Sequence, residues 1–373
     1  MKVGILTFWQ TEDNYGQLLQ CYATQCYLRS LGHETFLVRT TDGHAYNPTF
    51  KEQCFGKLRT AYRLLPYPGY LCKRGLTSLL YLLLHGRFRK RKIDRGFARF
   101  RTEYLHCTEV YTLQQLMDCP PEADAFVVGS DQIWNTVDGI YFLNWAKAGV
   151  RKIAYAASFG SRRPSEDFCN LIGPWLKRFD LISVREQSGI GICKLSGRED
   201  AICVPDPTML LSAENYLSIA SDNYPKEKYL FVYFLGTRTE IDWKEIHAFA
   251  KRKNLKIVYV ASQGQEDKFE KTEASIPDWL ALIAHAEYVL TNSFHGTVFA
   301  LIFGRKFITY PIVGVAAKMN DRITTLLDPL ALSDRIYCKR IGLSKIEDKL
   351  DYTTIHRKMA INSVNGRELL KSL

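Results

Sequence analysis

The sequence predicts an α/β protein built from two successive sets of strands and helices, and three observations carry that prediction. Short apolar runs of strand formers alternate with amphipathic, helix-length stretches, the pattern of layered α/β folds. Nearly every run ends in small or polar residues, as strands do where an open parallel sheet receives a ligand beyond its carboxyl ends. Cys203-Val204-Pro205-Asp206-Pro207-Thr208 then interrupts the pattern with two prolines, which neither a central strand nor a helix interior accepts. At 373 residues the chain is long enough for two domains with sizeable cores.

Taken in order, the first strand covers residues 3–8 and leads through Gln10-Thr11-Glu12-Asp13-Asn14-Tyr15-Gly16 into a helix from about Gln17 to Leu31. Gly32 is a natural helix stop. Thr35 to Val38 completes a strand–helix–strand unit. Ala125 to Val128 is the next strand, ending in Gly129-Ser130-Asp131-Gln132-Ile133-Trp134-Asn135, and residues 152–157 another, ending in Ser158-Phe159-Gly160. A helix around 167–179 precedes the strand Leu181 to Val184, closed by Arg185-Glu186. The second set has strands at Tyr229 to Leu235, Ile257 to Val260, Tyr288 to Leu290 and Phe307 to Tyr310, with a helix from about Thr297 to Phe303. The tail from Ser344 to Leu373 reads as mostly helical and charged.

The net charge of +11 is concentrated. Residues 57–101 hold 13 Lys and Arg against one acid, Asp94, so the rest of the chain is nearly neutral. The apolar run Leu79-Leu80-Tyr81-Leu82-Leu83-Leu84 stands just before Arg87-Phe88-Arg89-Lys90-Arg91-Lys92. Apolar plus polybasic is the composition of a segment that lies on an anionic membrane surface, and the expected partner of residues 57–101 is such a surface. A solvated basic helix packed on its own domain has the same composition. No helix-turn-helix, zinc-finger or RNA-binding signature accompanies the charge, so no nucleic-acid partner is expected. The apolar run Leu76 to Leu84 is about half of the ~20 residues a membrane-spanning helix needs. The first residues read as a strand, without the charged lead and cleavage site of a signal peptide. Ten cysteines show no Cys-x-x-Cys pair and no Cys/His cluster at zinc spacing, which fits free thiols in a reducing cytoplasm. No metal is expected.

The strand ends hold the chemistry. Helix starts there expose unpaired N–H groups and a positive dipole end, which favour a phosphate or carboxylate. Ser130 and Ser293 also suit helix capping, a purely structural task. Capping does not explain Arg185 or His295. Gly-x-Gly-x-x-Gly, the P-loop pattern and Gly-x-Ser-x-Gly are all missing from the sequence, so dinucleotide, P-loop and serine-hydrolase sites are unsupported.

Six motifs occur in one order: Asn14-Tyr15-Gly16, Val128-Gly129-Ser130-Asp131-Gln132-Ile133-Trp134-Asn135, Ala154-Tyr155-Ala156-Ala157-Ser158-Phe159-Gly160, Ser183-Val184-Arg185-Glu186, Val204-Pro205-Asp206-Pro207-Thr208 and Thr291-Asn292-Ser293-Phe294-His295-Gly296. As a set they resemble the polysaccharide pyruvyl transferase family. The resemblance runs from residue 1 to about 325, leaving out much of 45–110 and the tail. It implies two Rossmann-like domains facing a cleft, as in GT-B glycosyltransferases, with a C-terminal helix crossing back to the first domain. The expected bounds are 1–207 for the acceptor-side domain, with its basic and apolar insertion at about 45–110, then 208–345 for the donor side and 346–373 for the crossover.

The resemblance also implies a reaction: transfer of pyruvate from phosphoenolpyruvate to two hydroxyls of a sugar, giving a cyclic ketal and phosphate. Phosphoenolpyruvate is a co-substrate, and no other cofactor is implied. The sugar belongs to a bacterial surface polysaccharide or its lipid-linked precursor. His295 matches the family's motif histidine and is expected to protonate the enol, a task suited to a group titrating near neutrality, or to bind the phosphate if another group protonates. Arg185 and Lys318 are expected to bind the donor, and Ser293 and Gly296 to shape its phosphate nest. Asn14, Gly16, Gln132, Asn135 and Ser158 would face the acceptor, with Asp131 as base for its hydroxyl. Trp134 is expected in the core. The protein would then work in the cytoplasm, peripherally on the inner face of the cell membrane. The rival is a GT-B glycosyltransferase using a nucleotide sugar, whose ribose carboxylate would be Glu240 or Asp242.

Overall fold

The computed structural model describes residues 1–41, 93–135, 138–160, 165–236, 240–262 and 267–373, without the side chains of residues 315, 316 and 318. Most of the apolar and polybasic stretch therefore lies outside the described residues.

The first half is a seven-stranded sheet, every neighbouring pair parallel, in the order β3-β2-β1-β4-β5-β6-β7. Its strands are β1 Lys2–Leu6, β2 Glu34–Thr40, β3 Cys107–Tyr111, β4 Ala125–Val128, β5 Arg151–Ala157, β6 Leu181–Val184 and β7 Ile202–Cys203. The second half is a four-stranded parallel sheet in the order β11-β10-β8-β9. It contains β8 Tyr229–Phe234, β9 Lys256–Ala261, β10 Tyr288–Thr291 and β11 Lys306–Thr309. Central strands are buried throughout, as in β4 and β8, because helices cover both faces of a parallel sheet. Continuous apolar runs result, and these are the runs visible in the sequence. β3 and β7 carry no such run. They are mainly exposed edge strands, and periodicity gave no sign of them.

Strand order reverses between β1 and β4 in one sheet and between β8 and β10 in the other. Such switch points open a crevice beyond the carboxyl ends of the strands. Helix α1, Tyr15–Ser30, starts at the first crevice, and helix α2, Phe97–Tyr104, packs beside it through Phe97 and Phe100. Further along come α3 Leu113–Asp118, α4 Glu166–Leu176, α5 Gln187–Leu195, α6 Ala213–Leu217, α7 Trp243–Arg252 and α8 Ile276–Ala284. Helix α9, Phe294–Ile302, begins three residues earlier than the sequence pattern suggests, so His295 lies inside its first turn. Helix α10 is Asp321–Leu327.

The tail forms two helices, α11 Tyr352–Asn362 and α12 Val364–Lys371. Helix α11 stays with the second half, where His356 Nε2 lies 2.8 Å from the Leu301 carbonyl. Helix α12 crosses to the first half: Gly366 lies against the Tyr155 hydroxyl, and Arg151 donates to the Ser372 carbonyl at 2.6 Å. The two halves also meet at Tyr15, which donates to the Ala274 carbonyl at 2.7 Å and stacks on Trp279 at 5.3 Å.

Two members of the basic stretch do not belong to an outer face. Arg95 is buried, pairs with Glu273 and donates to the Ala261 carbonyl at 2.9 Å. Arg101 donates to the Thr11 carbonyl at 2.8 Å and lies over the Trp9 ring. Both hold the chain together, which removes them from the surface charge that composition alone assigns to residues 57–101.

Candidate active site

At the end of β4 the chain turns through Gly129, whose φ is +111°. A Cβ there would strike the Tyr155 carbonyl oxygen, so only glycine fits. The turn delivers Ser130 and Asp131. The Ser130 amide donates to Gln20 Oε1 at 3.1 Å, and Thr7 donates to the Ser130 carbonyl at 2.8 Å. Helix α1 and β1 thus fix the loop. At the end of β6, Arg185 and Glu186 follow a buried strand directly. At the end of β10, Asn292 clamps Leu235 through both of its backbone groups, and Ser293 caps α9 by accepting from the Gly296 amide at 3.3 Å. His295, the next side chain in the first turn, has no such structural duty.

These loops converge on Asp206. Its Oδ2 accepts from Ser130 Oγ and from Arg185 Nη1, each at 2.8 Å, and lies 3.4 Å from His295 Nε2. Its Oδ1 accepts from the Thr208 hydroxyl at 2.8 Å and amide at 3.1 Å. The carboxylate is fully buried. Burial alone would raise its pKa, but His295 and then Arg185 outweigh it and hold the group well below the usual carboxylate range. Asp206 therefore stays ionised and draws together an arginine of the first half and a histidine of the second.

Arg185 is buried too, and its Nη2 lies 3.6 Å from Asp131 Oδ1, an ion-pair distance without a hydrogen bond. Its Nε and Nη2 have no hydrogen-bond acceptor, nor has His295 Nε2. Arg185 lies 4.7 Å from the centre of the Phe294 ring and Arg322, from α10, 5.8 Å from the same centre. Burial, then the charge of Arg185, pushes the Arg322 guanidinium down to about 10. With its amide oxygen turned inward, Gln132 accepts from Arg322 Nη1 at 3.0 Å and Nη2 at 2.8 Å. Glu186 accepts from the Phe159 amide at 2.8 Å, and its second oxygen is buried without a partner. Burial raises its pKa although Arg185 and Arg322 oppose the shift.

A cavity of about 570 Å³ opens onto Arg185, Asp206, Phe294 and Arg322, with Leu330 and Ile361 in its wall. Its size suits a small-molecule ligand. Such a site can bind planar anions through two guanidinium groups, with an imidazole one carboxylate away. Among the described residues, no group of three or more His, Cys, Asp and Glu side chains gathers as a metal ion would need.

The residues expected at the site divide into those the fold brings together and those it does not. Arg185 and His295 meet at Asp206, and Asp131 lies beside Arg185. Gly16 packs on the His295 ring, where a Cβ would clash with the imidazole. Gln132 reaches Arg322. Ser158 is buried, its carbonyl accepting from the Trp134 amide and its hydroxyl from the Gly160 amide. Asn14 precedes α1 without capping it through its side chain, and Asn135 is exposed. Ser293 is a helix cap, and Gly296 lets α9 approach Thr291. The Lys318 side chain lies outside the described residues. Trp134 is fully buried and stacks on Phe142 at 5.2 Å.

Three participants had no assigned role: Asp206, Arg322 and Glu186. Asp206 was visible as a motif and read as a linker. Arg322 follows Lys318 by one helical turn, and only its burial against Phe294 distinguishes it from a surface arginine. Of the rival's two carboxylates, Asp242 caps α7, accepting from the Lys244 and Glu245 amides at 3.0 and 3.1 Å.

A model of the polysaccharide pyruvyl transferase family matches residues 14–311. No curated protein matches the chain. Solved structures similar at low identity include two epimerases and a glycosyltransferase. The UDP-N-acetylglucosamine 2-epimerase from Rickettsia bellii is 13% identical with a TM-score of 0.47, over 100% of this chain and 96% of that one. The Neisseria meningitidis UDP-GlcNAc 2-epimerase bound to UDP-GlcNAc is 9% identical with a TM-score of 0.45, over 100% and 94%. The Streptomyces sp. SF2575 glycosyltransferase SsfS6, complexed with thymidine diphosphate, is 13% identical with a TM-score of 0.44, over 100% and 99%.

Proposed function

The chain belongs to the polysaccharide pyruvyl transferase family, and from that premise we propose that it transfers pyruvate from phosphoenolpyruvate to two hydroxyls of one acceptor sugar, as a cyclic ketal. The acceptor belongs to a bacterial surface polysaccharide or its lipid-linked precursor. The observation that carries this reading is the Asp206 carboxylate holding Arg185 and His295, one from each half, beside the cavity.

In the proposed reaction the methylene carbon of the enol takes a proton, which leaves C2 open to a hydroxyl of the sugar. His295 supplies that proton. The second hydroxyl then displaces phosphate from C2. One hydroxyl hydrogen replaces the proton delivered to carbon, and the other leaves with phosphate. Asp131 accepts from the attacking hydroxyl. Arg185 holds an anionic group of the donor with a planar fork, which a lysine does not offer. Lys318 stands in this proposal as a further donor ligand, and Asn14 and Asn135 as acceptor contacts. Asp206 touches neither substrate and acts by aligning the other two.

Calorimetric titration of phosphoenolpyruvate beside UDP- and GDP-sugars tests the donor. Saturable phosphoenolpyruvate binding that Arg185→Ala removes supports the reading. Binding of a nucleotide sugar alone would replace it with glycosyl transfer.

The apolar and polybasic residues 57–101 suit an enzyme that meets a lipid-linked acceptor on the inner face of the cell membrane. Among the described residues no helix is long and apolar enough to cross a membrane. Flotation of the full chain with anionic vesicles tests the peripheral placement, and no binding to them would end it.

A further inference from the structure

Arg322 is the least satisfied cation of the site. Arg185 has two carboxylates, Asp206 at 2.8 Å and Asp131 at 3.6 Å. Arg322 has none within 4 Å among the described residues. Its Nε donates to the Met319 carbonyl at 3.3 Å, and both Nη atoms face the Gln132 amide, which accepts from them with its oxygen turned inward. The two guanidinium groups lie against one aromatic ring and line one cavity. Like charges brought this close repel, and the repulsion falls when an anion enters between them. Gln132 presents a single planar oxygen to both Nη atoms, as one oxygen of a carboxylate or phosphate would.

We propose that Arg322 is a second anion-binding residue of the site, and that the Gln132 amide is a neutral stand-in which the phosphate of the donor displaces. Arg185 then holds the donor carboxylate, and each half of the molecule contributes one guanidinium to a ligand with two anionic groups. The stand-in satisfies the guanidinium while the site is empty. It yields to phosphate because an ionised acceptor adds the attraction between opposite charges and a bidentate geometry, neither of which a neutral amide oxygen offers. Gln132 joins the turn after β4 and Arg322 lies on α10, so donor entry breaks a tie between the halves and replaces it with a bridge.

The assignment of the ligand as donor rests on the reaction proposed above, and the test separates the two. Inorganic phosphate and phosphoenolpyruvate are titrated calorimetrically into wild type, Arg322→Gln, Arg322→Lys and Gln132→Met. Arg322→Gln should weaken both ligands roughly tenfold or more. Arg322→Lys keeps the charge without the fork and should fall between. Gln132→Met keeps the volume, frees the guanidinium and should tighten phosphate several-fold. Unchanged phosphate binding in Arg322→Gln would overturn the anion site. So would weaker phosphate binding in Gln132→Met, because Gln132 would then be a ligand contact instead of a competitor. Arg322-dependent phosphate binding without any phosphoenolpyruvate binding would leave the site standing and remove the donor reading. Equal phosphoenolpyruvate binding by wild type and Arg322→Gln would do the reverse.

Discussion

Gly16 leaves no space for a Cβ against His295: one built on its backbone would clash with Nδ1 and Cγ of the imidazole. Gly16 sits in the first turn of α1 and His295 in the first turn of α9, so the two halves of the molecule touch at the residue proposed to move the proton. Gly16→Ala is expected to fold, because a methyl there meets a side chain and not a core strand. It should cost about 1–3 kcal/mol from overpacking. The same shift moves the ring, and a displacement near 1 Å lowers turnover by about 10²-fold. Rates and chemical denaturation measured together check this. A variant with wild-type turnover would show that ring position is unimportant.

Asp206→Asn removes the charge that Arg185, Ser130 and His295 share. Breaking a buried pair in this way destabilises by about 3–5 kcal/mol. The wild-type carboxyl is depressed in the native state, so its contribution is fully present above the unfolded value of about 3.9 and is eroded as pH falls below it. Denaturation curves from pH 3 to 7 should show that slope in wild type and a flatter acid side in Asp206→Asn.

Glu186 carries the opposite sign. Burial raises its pKa, so its contribution favours the native state at low pH and is lost as pH rises through the raised native value. Glu186→Gln should therefore gain stability relative to wild type toward neutral pH, measured by the same curves. A variant that loses stability at pH 7 would mean the two arginines dominate over burial.

Arg185→Lys should not rescue Arg185→Ala. The Nη1 bond to Asp206 and a donor contact require two faces of one planar group. Both variants are expected to lose about 10²-fold or more in kcat/KM, the scale of removing one electrostatic group from a reacting centre. Steady-state kinetics with phosphoenolpyruvate varied is the check.

Asp242→Ala separates the proposed transfer from glycosyl transfer. As a cap of α7 it should cost about 1 kcal/mol of stability and leave kcat unchanged. A large loss of activity would return Asp242 to the role of sugar-nucleotide ligand.

The elements of the fold were legible where burial is continuous. The all-buried strands Ala125–Val128 and Tyr229–Phe234 stand out as apolar runs, while the edge strand Cys107–Tyr111 does not, because half of its side chains meet solvent. His295 and Arg185 were legible because a charged residue at the end of a buried strand has no structural excuse. Asp206 was hidden by its neighbours: two prolines announce a break in the chain, and nothing local says that the residue between them meets side chains of both halves. Arg322 was hidden because its partners, Phe294 and Gln132, are 28 and 190 positions away. Arg95 misled in the other direction, since a buried pair with Glu273 looks, in sequence, like one more surface charge.

The crossing of α12 has a consequence for recombination between relatives. Residues 208–362 look like a portable cassette, with the boundary at Pro207 as its natural breakpoint. The last helix does not travel with it: Gly366 rests on the Tyr155 hydroxyl, and Ser372 accepts from Arg151. A chimera that exchanges the second half must keep the final ten residues of the parent that supplied the first. Inheritance of the two halves is thus interleaved, and one crossover point between family members is not enough.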